Sequence, residues 1–140
     1  MISGIIAAIL LINSSPMDIS KDISSFYSLK VVLDTTMHSL SGSETIIFQN
    51  PTSTTLEKIC FHLYPNAFKD TSSIYCRENS GVRSRVLAGD TAALDVSGMI
   101  INGDLVDSTK ISQSGTLMYI TLDKPLMPDS VLSLSLNFNL

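Results

Sequence analysis

An alternation of apolar and polar residues with a period of two constrains this sequence most strongly. It is clearest near the carboxyl terminus, where apolar side chains occupy every second position: Leu132, Leu134, Leu136, Phe138 and Leu140. Serine and asparagine fill the positions between them. Because successive side chains of a strand point to opposite faces, this pattern predicts a strand with one buried and one solvated face.

The same alternation predicts two strands earlier in the chain. In the first, the apolar face is formed by Tyr27, Leu29, Val31 and Leu33. In the second, Leu40, Ile46 and Phe48 share a parity. Gly42 interrupts this inward set, which predicts a bulge or a close approach of another backbone. Residues Asp34–Met37 should form the hairpin connection, and Pro51 in "NPTS" should end the second strand because it lacks an N–H donor.

A third strand is predicted over Leu56–Leu63. Ile59 and Phe61 lie on one face and Cys60 and His62 on the other, and both sets are fairly apolar. The pattern therefore predicts a strand that is covered on both sides. Three strands joined by short turns also predict an antiparallel meander.

The remaining segments alternate between loop and strand signals. Residues Lys69–Asp90 are polar and serine-rich and predict a long loop, preceded by a short helical stretch over Asn66–Thr71 with Asn66 as its N-cap. Strand signals resume over Ala92–Ile101 and again over Leu117–Leu122, and Asn102-Gly103 between them predicts a type I′ hairpin turn. The class predicted by this order is all-β, as an antiparallel β-sandwich.

The amino terminus differs from the rest of the chain. "IIAAILLI", Ile5–Ile12, has the length of a signal-peptide core and is too short to span a bilayer as a helix. No Lys or Arg precedes it and no clear cleavage site follows, so a short hydrophobic helix or a misassigned start remains open. We expect residues 1–22 to be a leader and linker and residues 23–140 the β domain. The expected location is exported or membrane-associated, with cytoplasmic as the alternative.

Charge and composition exclude two classes of protein. The net charge is -4, and among the scattered Lys and Arg residues only Arg83 and Arg85 lie close together. Nucleic acid, which requires a basic surface to displace counterions from phosphates, is therefore excluded as a partner. Hydrophobic residues make up 44% of the chain and charged residues 16%, which excludes a disordered polyelectrolyte.

The candidate metal and thiol residues do not form a recognisable set. His38 lies in the predicted hairpin connection and His62 in a predicted strand, with no third ligand at a known spacing, whereas zinc requires three or four protein ligands. Cys60 and Cys76 could pair if the chain is exported, or they could be two unrelated thiols.

The candidate catalytic groups are equally isolated. Glu44 with Glu57, or Asp90 with Asp95, could form an acid/base pair, but solvated strand faces explain these residues better. No serine lies in a Gly-x-Ser-x-Gly turn, and no glycine-rich phosphate loop is present. The sequence therefore predicts no catalytic, cofactor-binding or metal-binding residue.

Three segments in order resemble the opening of the aminopeptidase N family of zinc metallopeptidases. They are "YSLKVVLD" (Tyr27–Asp34), "HSLSGSETIIFQNPTSTTLEKI" (His38–Ile59) and "FHLYPNAF" (Phe61–Phe68). "INGDLV" and "TLMYITLDKPLMPDSVLSLSLNFNL" are similar to a later hairpin and to the final strands of that region, with Asp129 at a position where the family has glycine. The resemblance covers about Ser25–Leu140.

The resemblance implies a saddle-like β-sandwich that precedes a catalytic domain. In the family, that second domain carries a Gly-x-Met-x-Asn substrate-anchoring motif and a His-Glu-x-x-His zinc site, and neither motif occurs in these 140 residues. We therefore expect a non-catalytic N-terminal domain that walls the active site of a catalytic metallopeptidase domain, its partner. Zinc is expected in that domain and no cofactor in this chain. The parent activity would be removal of N-terminal residues from peptides.

Two further expectations concern the end of the sequence and the alternative functions. The strand pattern continues to Leu140 without a terminator, which predicts that the sequence is cut there. The alternative function is a self-standing exported β-sandwich that binds a protein, since a chain without Trp and with 6% aromatic residues is poorly suited to stacking on sugars. An enzyme with an unrecognised site in Lys69–Asp90 ranks last.

Overall fold

The computed structural model describes residues 25–140 and confirms the all-β class. Strands hold 52% of these residues and helical segments 18%. The eight strands are β1 Ser25–Asp34, β2 Ser39–Gln49, β3 Leu56–His62, β4 Asp95–Ile101, β5 Asp104–Leu105, β6 Ile111–Ser114, β7 Leu117–Leu126 and β8 Val131–Asn139. The apolar run Ile5–Ile12 and the leader predicted over residues 1–22 lie outside the described residues. Within residues 25–140, no helix has the length and apolar character needed to cross a membrane.

The strands form two sheets in which all neighbours are antiparallel. One sheet has the order β1-β2-β8-β4-β5 and the other the order β3-β7-β6. The predicted strand near the carboxyl terminus is confirmed as β8, which lies between β2 and β4. Its inward residues are buried: Leu132, Leu134 and Leu136. These side chains join buried residues of β2, β4 and β7 in one hydrophobic core.

The predicted three-strand meander is wrong, because β3 belongs to the other sheet and pairs with β7. The chain changes sheet between Gln49 and Leu56, and buried Asn50 holds this crossing in place. Its Nδ2 donates to the carbonyl oxygens of Thr54 at 2.8 Å and Leu126 at 3.1 Å. Its Oδ1 accepts from the backbone N–H of Thr52 at 3.1 Å and from the Thr52 hydroxyl at 2.7 Å.

The β1–β2 hairpin confirms the close approach predicted at Gly42, but not the bulge. The register runs without interruption from Ser25 opposite Phe48 to Asp34 opposite Ser39. A Cβ atom at Gly42 would overlap the carbonyl oxygen of Lys30 and would lie 2.8 Å from the ring of Phe138. Only glycine fits between these groups without displacing them.

The hairpin turn predicted at Asn102-Gly103 is confirmed. These residues connect β4 to β5 with φ of 50° and 93°, the left-handed values that a type I′ turn requires. A bulge that was not predicted lies earlier in β4. There Gly98, with φ of 58°, marks a register shift against β8 between Ser97 and Ile100.

The loop predicted over Lys69–Asp90 contains two short helices, α1 Ile74–Glu78 and α2 Ser80–Leu87. The N-caps that start them were missed. The Ser73 hydroxyl accepts from the N–H of Cys76, and Asn79 Oδ1 accepts from the N–H of Val82 at 3.2 Å. Helical periodicity is hard to detect in elements of five and eight residues.

Asn66 is not an N-cap, contrary to prediction. It lies inside a 3₁₀ turn, Tyr64–Phe68. The amide group of its buried side chain forms hydrogen bonds with Leu94, the residue immediately before β4. Oδ1 accepts from the N–H of Leu94 at 2.6 Å, and Nδ2 donates to the carbonyl oxygen of Leu94 at 3.3 Å. The side chain therefore joins the Tyr64–Phe68 corner to the start of β4.

Candidate functional site

A solvent-open groove separates the β1–β2 side of the larger sheet from β3. It consists of two adjoining hollows of about 370 Å³ and 620 Å³. Five residues line both hollows and define what we call the β1–β3 groove: Tyr27, Glu44, Phe61, His62 and Tyr64. Its walls are largely apolar, with Leu29, Leu136 and Phe138 of the larger sheet at one end.

Glu44 lies on the inner face of β2, not on the solvated face predicted for it. Its neighbours across the sheet are Leu29 on β1 and Leu136 on β8. The side chain is half-buried, and desolvation raises the pKa of Glu44 above its ordinary value. Within residues 25–140, no hydrogen bond or ion pair reaches its carboxylate. Glu44 occupies an even-numbered position, as Ile46 and Phe48 do, and this shared parity is the sequence signal for its place on the inner face of β2.

The two acid pairs considered from the sequence do not form a site. Glu57 is exposed on β3 and does not line the groove that contains Glu44. Asp90 is exposed and accepts a hydrogen bond from Arg85 Nε at 3.0 Å. Asp95, also exposed, begins β4.

The outer face of β3 is exposed, which corrects the prediction of a strand covered on both sides. Cys60 and His62 are exposed on it, and beyond the strand end Tyr64 is 65% exposed. The rings of His62 and Tyr64 stack with centroids 3.8 Å apart and an interplanar angle of 20° at the edge of the groove. Only the opposite face, with Ile59 and Phe61, packs against the core.

The remaining metal and thiol candidates are dispersed. His38 lies in the β1–β2 turn with a left-handed φ of 51°, away from the groove. Cys60 and Cys76 are free thiols, the first exposed and the second buried next to the carbonyl oxygen of Ala67. Across residues 25–140, no three His, Cys, Asp or Glu side chains are close enough to hold a metal ion.

The tip of the β1–β2 hairpin is apolar and exposed. Four residues there form what we call the hairpin tip: Val31 at 49% exposure, Val32 at 65%, Leu33 at 63% and Met37 at 73%. Tyr27, Val31 and Leu33 belong to the face predicted to be buried and are all exposed, so that prediction is wrong for β1 except at Leu29, which is partly buried. Within residues 25–140, β1 is hydrogen-bonded to β2 alone.

The raised pKa of Glu44 predicts a specific pH dependence of stability. Because the folded protein holds the proton more tightly than the unfolded chain, the contribution of Glu44 is fully present below its unfolded pKa of about 4.3. It is lost as pH rises through the folded pKa. Glu44→Gln should remove this decrease, which urea unfolding between pH 4 and pH 8 would measure. Glu57→Gln, at an exposed site, should follow the wild type; an unchanged slope in Glu44→Gln would contradict the prediction.

The chain has no match among family models, curated proteins or solved structures. The features that bear on its function are therefore the groove, the hairpin tip and the ordered set of segments that resemble the aminopeptidase N family.

Proposed function

We propose that this chain is the non-catalytic N-terminal β domain of a zinc aminopeptidase. In this proposal its two sheets form the saddle-like sandwich of that family, and the domain packs against a catalytic domain and helps to wall its active site. Zinc and its ligands belong to the catalytic domain. None of the 140 residues is assigned a part in the chemistry of peptide hydrolysis.

The observation that carries this proposal is the hairpin tip. Val31 and Leu33 lie on one face of β1, Val32 lies on the other, and Met37 lies in the adjoining turn; all four are about half or more exposed. Several exposed apolar residues at one hairpin end, on both faces of the strand, indicate an interaction site, whereas single exposed apolar residues are ordinary. A domain that normally packs against a second domain accounts for an apolar tip that would be unfavourable in water.

The Tyr64–Phe68 corner supports the same role. Pro65 lies in the first turn of the 3₁₀ segment, and Asn66 makes both of its amide hydrogen bonds with Leu94. These constraints fix the corner, while Tyr64 stays exposed and stacked on His62. A fixed corner with an exposed ring is suited to forming part of a wall.

The direct test is to read the genomic DNA that follows the codon of Leu140 and to express the longer chain. We expect the longer chain to contain His-Glu-x-x-His, to bind zinc and to hydrolyse aminoacyl-4-nitroanilides. The 140-residue chain alone should do neither, as measured by metal analysis and by release of 4-nitroaniline. Stoichiometric zinc or peptidase activity in the 140 residues would overturn the proposal, as would downstream DNA without the motif.

Charge placed at the hairpin tip tests the docking role in the longer chain. Leu33→Asp should reduce aminopeptidase activity severalfold, because a charge buried between two domains without a partner is unfavourable. The matched control is Leu105→Asp on β5, at the opposite edge of the sheet, where the side chain is 74% exposed. Equal activities of the two variants would show that the tip does not dock.

The same hairpin tip also favours the alternative, a self-standing module that binds another protein. The downstream DNA separates the two functions. A reading frame without a zinc motif would leave the alternative as the better account of the exposed tip.

A further inference from the structure

The first half of β1 offers both a backbone edge and a groove. Within residues 25–140, β1 pairs with β2 alone and forms one edge of the five-stranded sheet. Alternate N–H and C=O groups of an edge strand point away from its partner and are free to pair with another chain. β1 contains no proline, and Lys30 and Asp34 are its only charged residues. These features leave the edge open to an added strand.

The β1–β3 groove lies beside this edge and would receive one face of an added strand. Tyr27 and Leu29 of β1 point into it, and Phe61 and Leu63 line it from the other sheet. Side chains of an added strand alternate between the two faces, so every second one would enter the groove. The walls therefore select apolar residues at alternate positions.

Glu44 adds a charge requirement to this apolar site. Its carboxylate lies in the groove, one strand away from the edge, and burial makes its ionised form unfavourable without a partner. Lys58 lines the far hollow, yet no ion pair joins it to Glu44. A residue on an added strand opposite Leu29 would lie about 10 Å from the Glu44 backbone, two strand spacings away. The long side chains of Lys and Arg can bridge such a separation to a carboxylate.

We propose that the β1 edge and the β1–β3 groove bind an extended segment of a partner polypeptide. This segment carries one basic residue, with an apolar residue two positions before it and another two positions after it. The backbone of the segment pairs with β1, its apolar residues fill the groove, and its basic residue pairs with Glu44. This is β-strand addition, in which the main chain provides affinity and alternate side chains provide specificity. It assigns the free chain a peptide-binding activity separate from the docking role of the hairpin tip.

A second copy of this chain is a poorer occupant than such a partner. If two β1 strands paired edge to edge, the residues brought to the groove side would be Tyr27, Leu29, Val31 and Leu33. None of them is basic, and Lys30 lies on the opposite face of the strand. A second copy would therefore leave Glu44 without a cation.

The proposal is tested with a random octapeptide library panned against the full 140-residue chain. We expect enriched peptides to carry Lys or Arg with apolar residues two positions before and after it. A synthetic enriched peptide should bind about tenfold more tightly than its Lys→Gln counterpart by fluorescence anisotropy, the range of one charge-assisted hydrogen bond. Peptides enriched without a basic preference, or no enrichment, would overturn the proposal.

Substitutions at Glu44 separate the charge from the rest of the groove. Glu44→Gln should abolish the basic preference and keep the apolar one, and Glu44→Lys should change the enriched charge from basic to acidic. Glu57→Gln is the matched control and should enrich the same peptides as the wild type. Should Glu44→Lys fail to fold, as judged by circular dichroism, Glu44→Gln still decides the outcome. A basic preference that survives in Glu44→Gln would contradict the assignment.

Amide hydrogen exchange identifies the occupant of the edge. The alternate amides of β1 that point away from β2 should exchange quickly in the free chain and slow at least tenfold when the enriched peptide is added. Slow exchange in the free chain at every concentration would instead indicate residues 1–24 as the occupant. Protection that grows with protein concentration would indicate a second copy. Either of these results would overturn the proposal.

Discussion

Gly42→Ala should lower the free energy of unfolding by about 3 kcal/mol, which urea denaturation would measure. The new methyl group would overlap the carbonyl oxygen of Lys30, a backbone atom fixed by the continuous β1–β2 register. It would also lie 2.8 Å from the ring of Phe138 on β8. A flexible side chain could move away from the methyl group, but β1 can move only by breaking its pairing with β2.

The same substitution at Gly81 provides the control. Gly81 lies in the first turn of α2, and a Cβ atom there meets only Asn79 Oδ1 at 3.5 Å, an ordinary contact. Gly81→Ala should therefore raise the free energy of unfolding by about 0.5–1 kcal/mol, because alanine reduces the conformational entropy of the unfolded chain and favours the helix. Similar effects at the two sites would show that the strand position is not the close contact described here.

Asn50→Asp is expected to be at least as damaging, with a loss of about 3–4 kcal/mol. Asparagine and aspartate have nearly the same shape, so the change tests the hydrogen bonds and not the packing. The Asn50 side chain is fully buried, and its Nδ2 donates to the carbonyl oxygens of Thr54 and Leu126. An aspartate oxygen in that place would face two carbonyl oxygens and would have no donor to offer them.

Asn79 is the matched position for this test. Its side chain accepts from the N–H of Val82 as the N-cap of α2, and Oδ1 is the atom that makes this bond. Aspartate keeps the acceptor and places a negative charge at the helix N-terminus, so Asn79→Asp should be neutral or slightly stabilising. Equal losses in Asn50→Asp and Asn79→Asp would contradict the role assigned to the buried amide.

The parts of the fold that could be predicted are those specified by local chemistry. A strand with one buried face must alternate, and β8 does so without ambiguity. Asn102-Gly103 specifies its own turn because asparagine and glycine tolerate left-handed backbone conformations better than other residues do. Gly42, which interrupts the inner face of β2, predicts a close contact, and the atom it approaches is the carbonyl oxygen of Lys30.

The predictions that were wrong concern features that depend on residues remote in the sequence. The parity of β1 specifies an inner face, but only the width of the opposing sheet decides whether Val31 and Leu33 are covered. Short turns suggested that β3 stays beside β2, whereas the buried Asn50 network takes the chain to the other sheet. Glu44 was interpreted by its residue type when its position in the alternation was the better guide.

The central position of β8 has a consequence for how the chain folds. β2 pairs with β8 from Gln49 opposite Val131 to Ser41 opposite Asn139, so this pairing joins two segments that are far apart in the sequence. Contacts between such distant segments require the closure of a long loop, and proteins rich in them fold slowly. Until β8 arrives, the β1–β2 hairpin displays Ile46 and Phe48 to water on a strand with an open edge. We therefore expect the hairpin to be prone to aggregation before β8 pairs with it, and chaperones that bind extended apolar segments should recognise it.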